Sequence, residues 1–232
     1  AIYGAKWWIT LAFAAVLTYT LVRWFNRDER TEWVAATRDF ALQILPLLFG
    51  GVLRFIGRNW DDGHYLHPDE RFMTTVAGEI GKSESLNEDT LAECPDAAQQ
   101  TAYFNTQCSV LNPNNVIDGS YVYGTLPLFI VHLAGQFISA LNPGGLENPA
   151  HWQTYDYIFL IGRAVNALAD TFSVLVIYLI GRRLFTRNHG LLAAGFYAFA
   201  ALPIQLSHYW TVDIQSNLFA LITLYAAIEI GL

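Results

Sequence analysis

The chain has 232 residues, 53% of them hydrophobic and only 14% charged, where a soluble domain carries roughly 25% charged residues. The apolar residues gather in long runs, which excludes an ordinary soluble domain and indicates an all-α integral membrane protein. A formal net charge of −7 excludes nucleic acid as a partner.

Residues 7–25 are the first spanning candidate, close to the roughly 20 residues a bilayer requires. Trp7, Trp8 and Trp24 lie at its ends, where interface anchors belong. It lacks the small-residue cleavage site of a signal peptide. Arg23, Arg27, Arg30 and Arg38 follow, and by the positive-inside rule this loop is cytoplasmic. The second span, 40–56, contains Pro46 and Gly50-Gly51, which membrane helices tolerate. It leads outward. The expected division of the chain is therefore 1–39, an added helix with its cytoplasmic loop, and 40–232, the main membrane domain.

A large outer loop, about 58–153, comes next. Its first part, 58–119, is rich in Asp and Glu and poor in Lys and Arg, as an outer face should be. Within it His67-Pro68-Asp69-Glu70-Arg71-Phe72 sets two carboxylates just after a proline that restrains the backbone. Pro followed by acids is also an ordinary helix start, and a short helix is expected over 72–80. Both cysteines, Cys94 and Cys108, lie in this loop, and a disulfide and two structural thiols are equally open. Asn112 to Asn115, Asp118-Gly119 and Asn142 to Gly145 are turn signals.

Residues 126–141 are apolar but short for a span. If they crossed, Arg182, Arg183 and Arg187 would lie outside. The three arginines decide the matter, and 126–141 is expected as an interfacial or re-entrant helix on the outer side. Spans at 155–180, 191–206 and 214–232 bring the total to about five. Five spans ending inside a helix suggest part of a longer protein. With this topology Asp69, Glu70, Arg163 and Asp213 share the outer border of the membrane.

Trp60-Asp61-Asp62-Gly63, followed by His67-Pro68-Asp69-Glu70-Arg71-Phe72, resembles the first outer loop of GT-C superfamily membrane glycosyltransferases. The branch it is most similar to is glycosyltransferase family 39, the protein O-mannosyltransferase-like enzymes, with the lipid A aminoarabinose transferases as cousins. Tyr123 to Leu128, Gly162-Arg163, Arg182 to Phe185, and Ser207 to Asp213 agree in order, although Thr125-Leu126-Pro127 stands where the family usually has His-Pro-Pro. The resemblance runs from Phe40 to the end of the chain and covers the family's N-terminal half.

It implies transfer of a sugar from a polyprenyl-phosphate donor to an acceptor hydroxyl on the outer face of the cell (inner) membrane, with inversion. Asp69 would be the base, and Glu70 would orient it or bind the acceptor. His67, Arg163 and Asp213 would be substrate-binding. Arg163 is costly in a membrane helix, roughly 2.5–3.5 kcal/mol at mid-depth, so it should pair with the donor phosphate or with the Asp-Glu pair, unless it snorkels. Asp170, two turns deeper, needs an interior partner. Asp213 alternatively serves the start of the last helix. No cofactor is certain. His64 and His67 with Asp69 and Glu70 offer a possible divalent-metal site, but hydrogen bonding is the more ordinary use of such histidines. Trp152 and Trp210 are expected as interface anchors. Implied partners are membrane lipids, the lipid-linked sugar, a protein or lipid acceptor, and other membrane subunits. The competing readings are a non-catalytic scaffold subunit of a membrane complex and, less economically, a transporter with Arg163 and Asp170 on a polar path.

Overall fold

The structure, a computed structural model, describes residues 2–102, 105–117, 120–141 and 149–231. The expected turns at Asp118-Gly119 and Asn142 to Gly145 lie outside them. Every regular element among the described residues is helical: α1 (Ile2–Trp24), α2 (Arg27–Phe55), α3 (Pro68–Glu79), α4 (Glu88–Glu93), α5 (Ala97–Gln100), α6 (Thr125–Leu141), α7 (Tyr155–Leu184), α8 (Arg187–Ala198), α9 (Ala201–Ser207) and α10 (Val212–Gly231). Three of them, α2, α7 and α10, are long and apolar enough to cross a membrane, and the bent pair α8–α9 makes a fourth span if taken together. In α1 the apolar stretch that can be assessed, Thr10–Trp24, is shorter than a span, so the expected five become three or four on this criterion. The architecture is that of an all-α membrane protein.

The contacts divide the chain into two compact units, 1–45 and 46–232. In the first, Asn26 and Glu29 cap the start of α2 reciprocally, each side chain accepting from the other's backbone N–H.

The second unit is built on α7. Its N-terminal end packs with α3 and α6 around a core of Met73, Val76, Leu128, Val131, Ile158 and Ile161, to which the segment between α3 and α6 adds Leu86, Val110, Val116 and Tyr121. These apolar positions recur at helical spacing on α3 and α6, so each buries one stripe. The loop below them is pinned by a Cys94–Cys108 disulfide, which resolves the open choice in favour of pairing, and by Asn115, whose amide donates to the carbonyls of Thr106, Gln107 and Ser109. The other end of α7 meets α8 through Gly181 and Gly190. A Cβ on Gly190 would stand 2.6 Å from the Tyr178 carbonyl oxygen, so only glycine permits this approach.

A polar stripe runs along α7. Arg163, Asn166 and Asp170 are all fully buried, three to four residues apart on one face. Asp170, expected to need an interior partner, meets Arg54 of α2 at 2.6 Å, and Tyr197 donates its hydroxyl to the same carboxylate. Arg54 also donates to the carbonyls of Tyr197 and Ala198, where α8 breaks into α9 at 58°. Carbonyls freed by a helix break within a bilayer need such a donor. Asn166 donates to the carbonyls of Tyr209 and Thr211 and accepts from Gln215, fixing the turn before α10.

Candidate functional site

The site is assembled where that stripe meets the segment between α2 and α3. From Gly57 to Tyr65 the chain turns tightly, with Gly57, Asp62, Gly63 and Tyr65 all at positive φ. For Asp62 and Tyr65 this costs on the order of 1 kcal/mol or more each and persists only where surroundings enforce it. Here they do: Tyr65 packs on Tyr155 and Phe159 and donates its hydroxyl to the Tyr155 carbonyl, while Asp61 is drawn inward. His67 then caps α3, its Nδ1 accepting from the Asp69 N–H at 3.3 Å, and Pro68 opens the helix.

Arg163 is enclosed by this construction. Its Nε and Nη2 donate to the two Glu70 oxygens, both at 2.7 Å. Nη1 donates to Asp61 Oδ1 at 2.8 Å and to the Arg58 carbonyl at 2.7 Å, and Nη2 to Asp61 Oδ2 at 2.9 Å. All five guanidinium N–H donors are therefore engaged. Glu70 Oε1 also accepts from the Trp210 N–H at 2.8 Å. All three side chains are sealed from solvent.

Several expectations are decided by this geometry. Arg163 neither snorkels nor has a donor left over; it pairs with Asp61 and with Glu70 of α3. Glu70, expected to orient Asp69 or hold an acceptor, is fully buried with both oxygens occupied. Trp210, expected as an interface anchor, is a core residue at 0% exposure, with its ring against Gly162. Trp152 is likewise half-buried against the core around α3 and α6. A Cβ on Gly162 would collide with the Trp210 indole, so Gly162→Ala is expected to cost about 1–3 kcal/mol by overpacking and to pull the Trp210 N–H off Glu70. A thermal melt in detergent unchanged from wild type would refute that packing. His64, His67, Asp69 and Glu70 do not converge as metal ligands, since Glu70 serves Arg163 and His67 Nδ1 serves the cap; among the described residues no group of three His, Cys, Asp or Glu could hold a metal ion.

Asp69 is half-buried and, unlike Glu70, makes no ion pair with Arg163; it and Asp213 both lie near enough to the Tyr123 hydroxyl to act on its titration. Burial pushes the Tyr123 phenol above its usual range, and Asp69 and Asp213 add to the rise, so Tyr123 remains a proton donor. Asp213 is exposed in the first turn of α10, which fits the helix-start reading, and its charge also acts on Tyr123. His67 and Trp60 both pack on Tyr209, and a space of about 260 Å³ opens among Trp60, Gln205, His208 and Tyr209.

Sequence reasoning did not single out Asp61, Tyr123 or Arg54. Asp61 carries a readable signal, an acid at the end of a span facing a guanidinium that begins another. The Arg163 hydrogen bonds hold its carboxyl below the ordinary 3.8. A depressed carboxylate stabilises the fold above its unfolded value, and that contribution disappears as pH falls through the folded one. The protein should therefore melt progressively earlier below about pH 4, and Asp61→Asn should flatten that part of the acid slope. Equal slopes for both proteins would argue against the linkage.

No curated protein and no solved structure matches the chain. Residues 159–230, which carry Arg163, Asn166, Asp170, Trp210 and Asp213, match the family described as dolichyl-phosphate-mannose-protein mannosyltransferase, so this segment, under a third of the chain, is similar to that family.

Proposed function

We propose that the protein transfers a sugar from a polyprenyl-phosphate donor to an acceptor hydroxyl at the outer face of the cell membrane, with Asp69 as the base. The observation that carries this reading is the contrast between two adjacent acids. Glu70 is consumed in a buried ion cluster, whereas Asp69 is left accessible beside Tyr123 and Asp213, within a chain whose α7–α10 region matches a mannosyltransferase family.

The chemistry follows from that position. Asp69 takes the proton of the acceptor hydroxyl as its oxygen attacks the anomeric carbon. The bond from that carbon to the phosphate oxygen breaks, and a single displacement inverts the centre. Phosphate leaves without help from a second acid, unlike the leaving group in glycoside hydrolysis. Tyr123 steadies the Asp69 carboxylate by donating to it, and Asp213 lines the acceptor side. The hollow beside Trp60 and Tyr209 offers aromatic faces to a hexose.

The outer-face assignment draws support from the disulfide, which persists in oxidising compartments, and from Arg182 and Arg183 in the last turn of α7 at its opposite end. The contacts of α6 with α7 are to Ile158, Ile161 and their neighbours, near the start of α7, which suits a helix lying on the outer side. The test is sugar transfer from polyprenyl-phosphate hexose by the full-length protein, wild type against Asp69→Asn. No transfer by the wild type to any hydroxyl acceptor would favour the scaffold reading, and equal rates would remove Asp69 as base.

A further inference from the structure

His208 ties together two ends of the chain on which the hollow depends. It follows the last residue of α9, and its Nδ1 lies 2.7 Å from the carbonyl oxygen of Ile204 in the last turn of that helix. Its Nε2 lies 2.8 Å from the carbonyl oxygen of Ile56, the residue directly after α2. A carbonyl only accepts, so each contact is a hydrogen bond only where the ring nitrogen carries a proton. A neutral imidazole has one such nitrogen, and its other would set a lone pair against a lone pair. Both contacts are therefore bonds at the same time only in the imidazolium. Both partners are also carbonyls at helix C-terminal ends, where backbone donors run out and a cation is favoured. The His208 N–H itself goes to Gln205, not to Ile204.

His208 lines the space of about 260 Å³ together with Trp60, Gln205 and Tyr209. Trp60 stands shortly after Ile56 and Tyr209 directly after His208, and their rings meet edge to face at 5.7 Å. We propose that His208 is a positioning residue that, as an imidazolium, clamps the end of α2 to the end of α9 and so sets the gap between Trp60 and Tyr209, making the hollow sensitive to pH. When the proton leaves, one of the two ties opens. The fraction of molecules with a formed hollow falls, and apparent affinity for its occupant falls with it. Asp69 is not part of the clamp, so the effect belongs to KM rather than kcat. That the occupant is a sugar rests on the transferase reading; the clamp itself does not. The elements around His208 carry Arg54 and Arg58 at the end of α2, His67 against Tyr209, and, on the two helices that pack with α9, Arg163, Asp170 and Asp213. Arg54 is paired with Asp170 and Arg163 with Asp61 and Glu70, and His208 makes no ion pair among the described residues. His67 is the other imidazole at this place, so a variant that removes His208 alone separates the two.

The test uses the full-length protein with nitrogen-15 histidine in phosphatidylcholine nanodiscs, over the range of about pH 5–8 in which imidazoles change charge. The histidine signal that is missing from His208→Gln should show two protonated ring nitrogens at the acid end and one at the alkaline end. Amide exchange of peptides covering 56–60 and 204–209, taken as the ratio of His208→Gln to wild type, should exceed one at the acid end and fall to one at the alkaline end. The wild-type KM for polyprenyl-phosphate hexose should rise about tenfold across the range, the scale of one charge-assisted hydrogen bond. His208→Gln, neutral throughout, should keep the high KM at both ends. His208→Arg, charged throughout and with donors for two carbonyls, should keep the low one. A role confined to stability would move the melting midpoints and leave KM flat. A single protonated nitrogen at the acid end, an exchange ratio of one there, or equal KM for wild type and His208→Gln would overturn the proposal. No transfer by the wild type at any pH would sink the transferase reading alone, because the nitrogen signals and the exchange ratio still decide the clamp. Transfer with a KM that ignores pH would sink the clamp alone.

Discussion

Arg163→Met is expected to unfold the part of the main unit that packs on the N-terminal end of α7. The substitution keeps bulk but removes five donated hydrogen bonds, and it leaves Asp61 and Glu70 facing each other with side chains sealed from water. Removing one partner from a buried ion cluster costs about 3–5 kcal/mol, a large share of the roughly 5–15 kcal/mol that holds a typical domain. Two buried carboxylates without a cation add repulsion. Glu70→Gln should be milder, because Arg163 keeps Asp61 as counter-ion and the amide oxygen still accepts from the Trp210 N–H. The order of severity, Arg163→Met worse than Glu70→Gln, is the informative result. It can be read from melting midpoints and from the fraction of disulfide-bonded, monodisperse protein after detergent extraction. If Arg163→Met melted like wild type, the cluster would not be the pin described here. Glu70→Gln melting earlier than Arg163→Met would point to Glu70 bearing load elsewhere.

Asp69→Asn should behave in the opposite way: folded, and nearly inert. Asp69 is half-buried and in no ion pair, and asparagine keeps its size, so stability should change by less than about 1 kcal/mol. What the amide cannot do is take a proton. Loss of a positioned base lowers rates by typically 10² to 10⁴-fold, and that is the expected drop in transfer from polyprenyl-phosphate hexose. A carboxylate that merely complements the start of α3 would give the reverse pattern, unchanged turnover and a stability loss of about 0.3–1 kcal/mol. Measuring transfer rate and melting midpoint on the same preparations separates the two roles.

The two substitutions act on neighbouring acids, and this bears on what the sequence made legible. Apolar runs marked α2, α7 and α10 because a bilayer requires continuous hydrophobic length, and Pro68 with two acids marked the start of α3. What the acids do was not legible. Successive helical residues point about 100° apart, so Asp69 and Glu70 face different surroundings, and only packing decides which is buried. Arg163 could be marked as costly, yet its partners lie 93 and 102 residues away. Local pattern gives no access to such pairings. Arg54 was hidden inside an apolar run for the same reason. Trp210 was misjudged because tryptophan near a span end usually marks the interface; the clue against it was Gly162, a bare position on the facing helix. The cysteines could be placed in one loop but not joined, since their joining depends on how Asn115 and its neighbours fold that loop.

The pairing of Arg54 with Asp170 constrains the order of biogenesis. They stand 116 residues apart, so at roughly 5–20 residues per second the ribosome adds the aspartate about 6–23 s after the arginine. During that interval α2 carries an uncompensated cation near its exit end, beside Gly50 and Gly51. The guanidinium gains its buried counter-ion only when α7 arrives, so the final seating of the earlier segment is expected to wait on the later one.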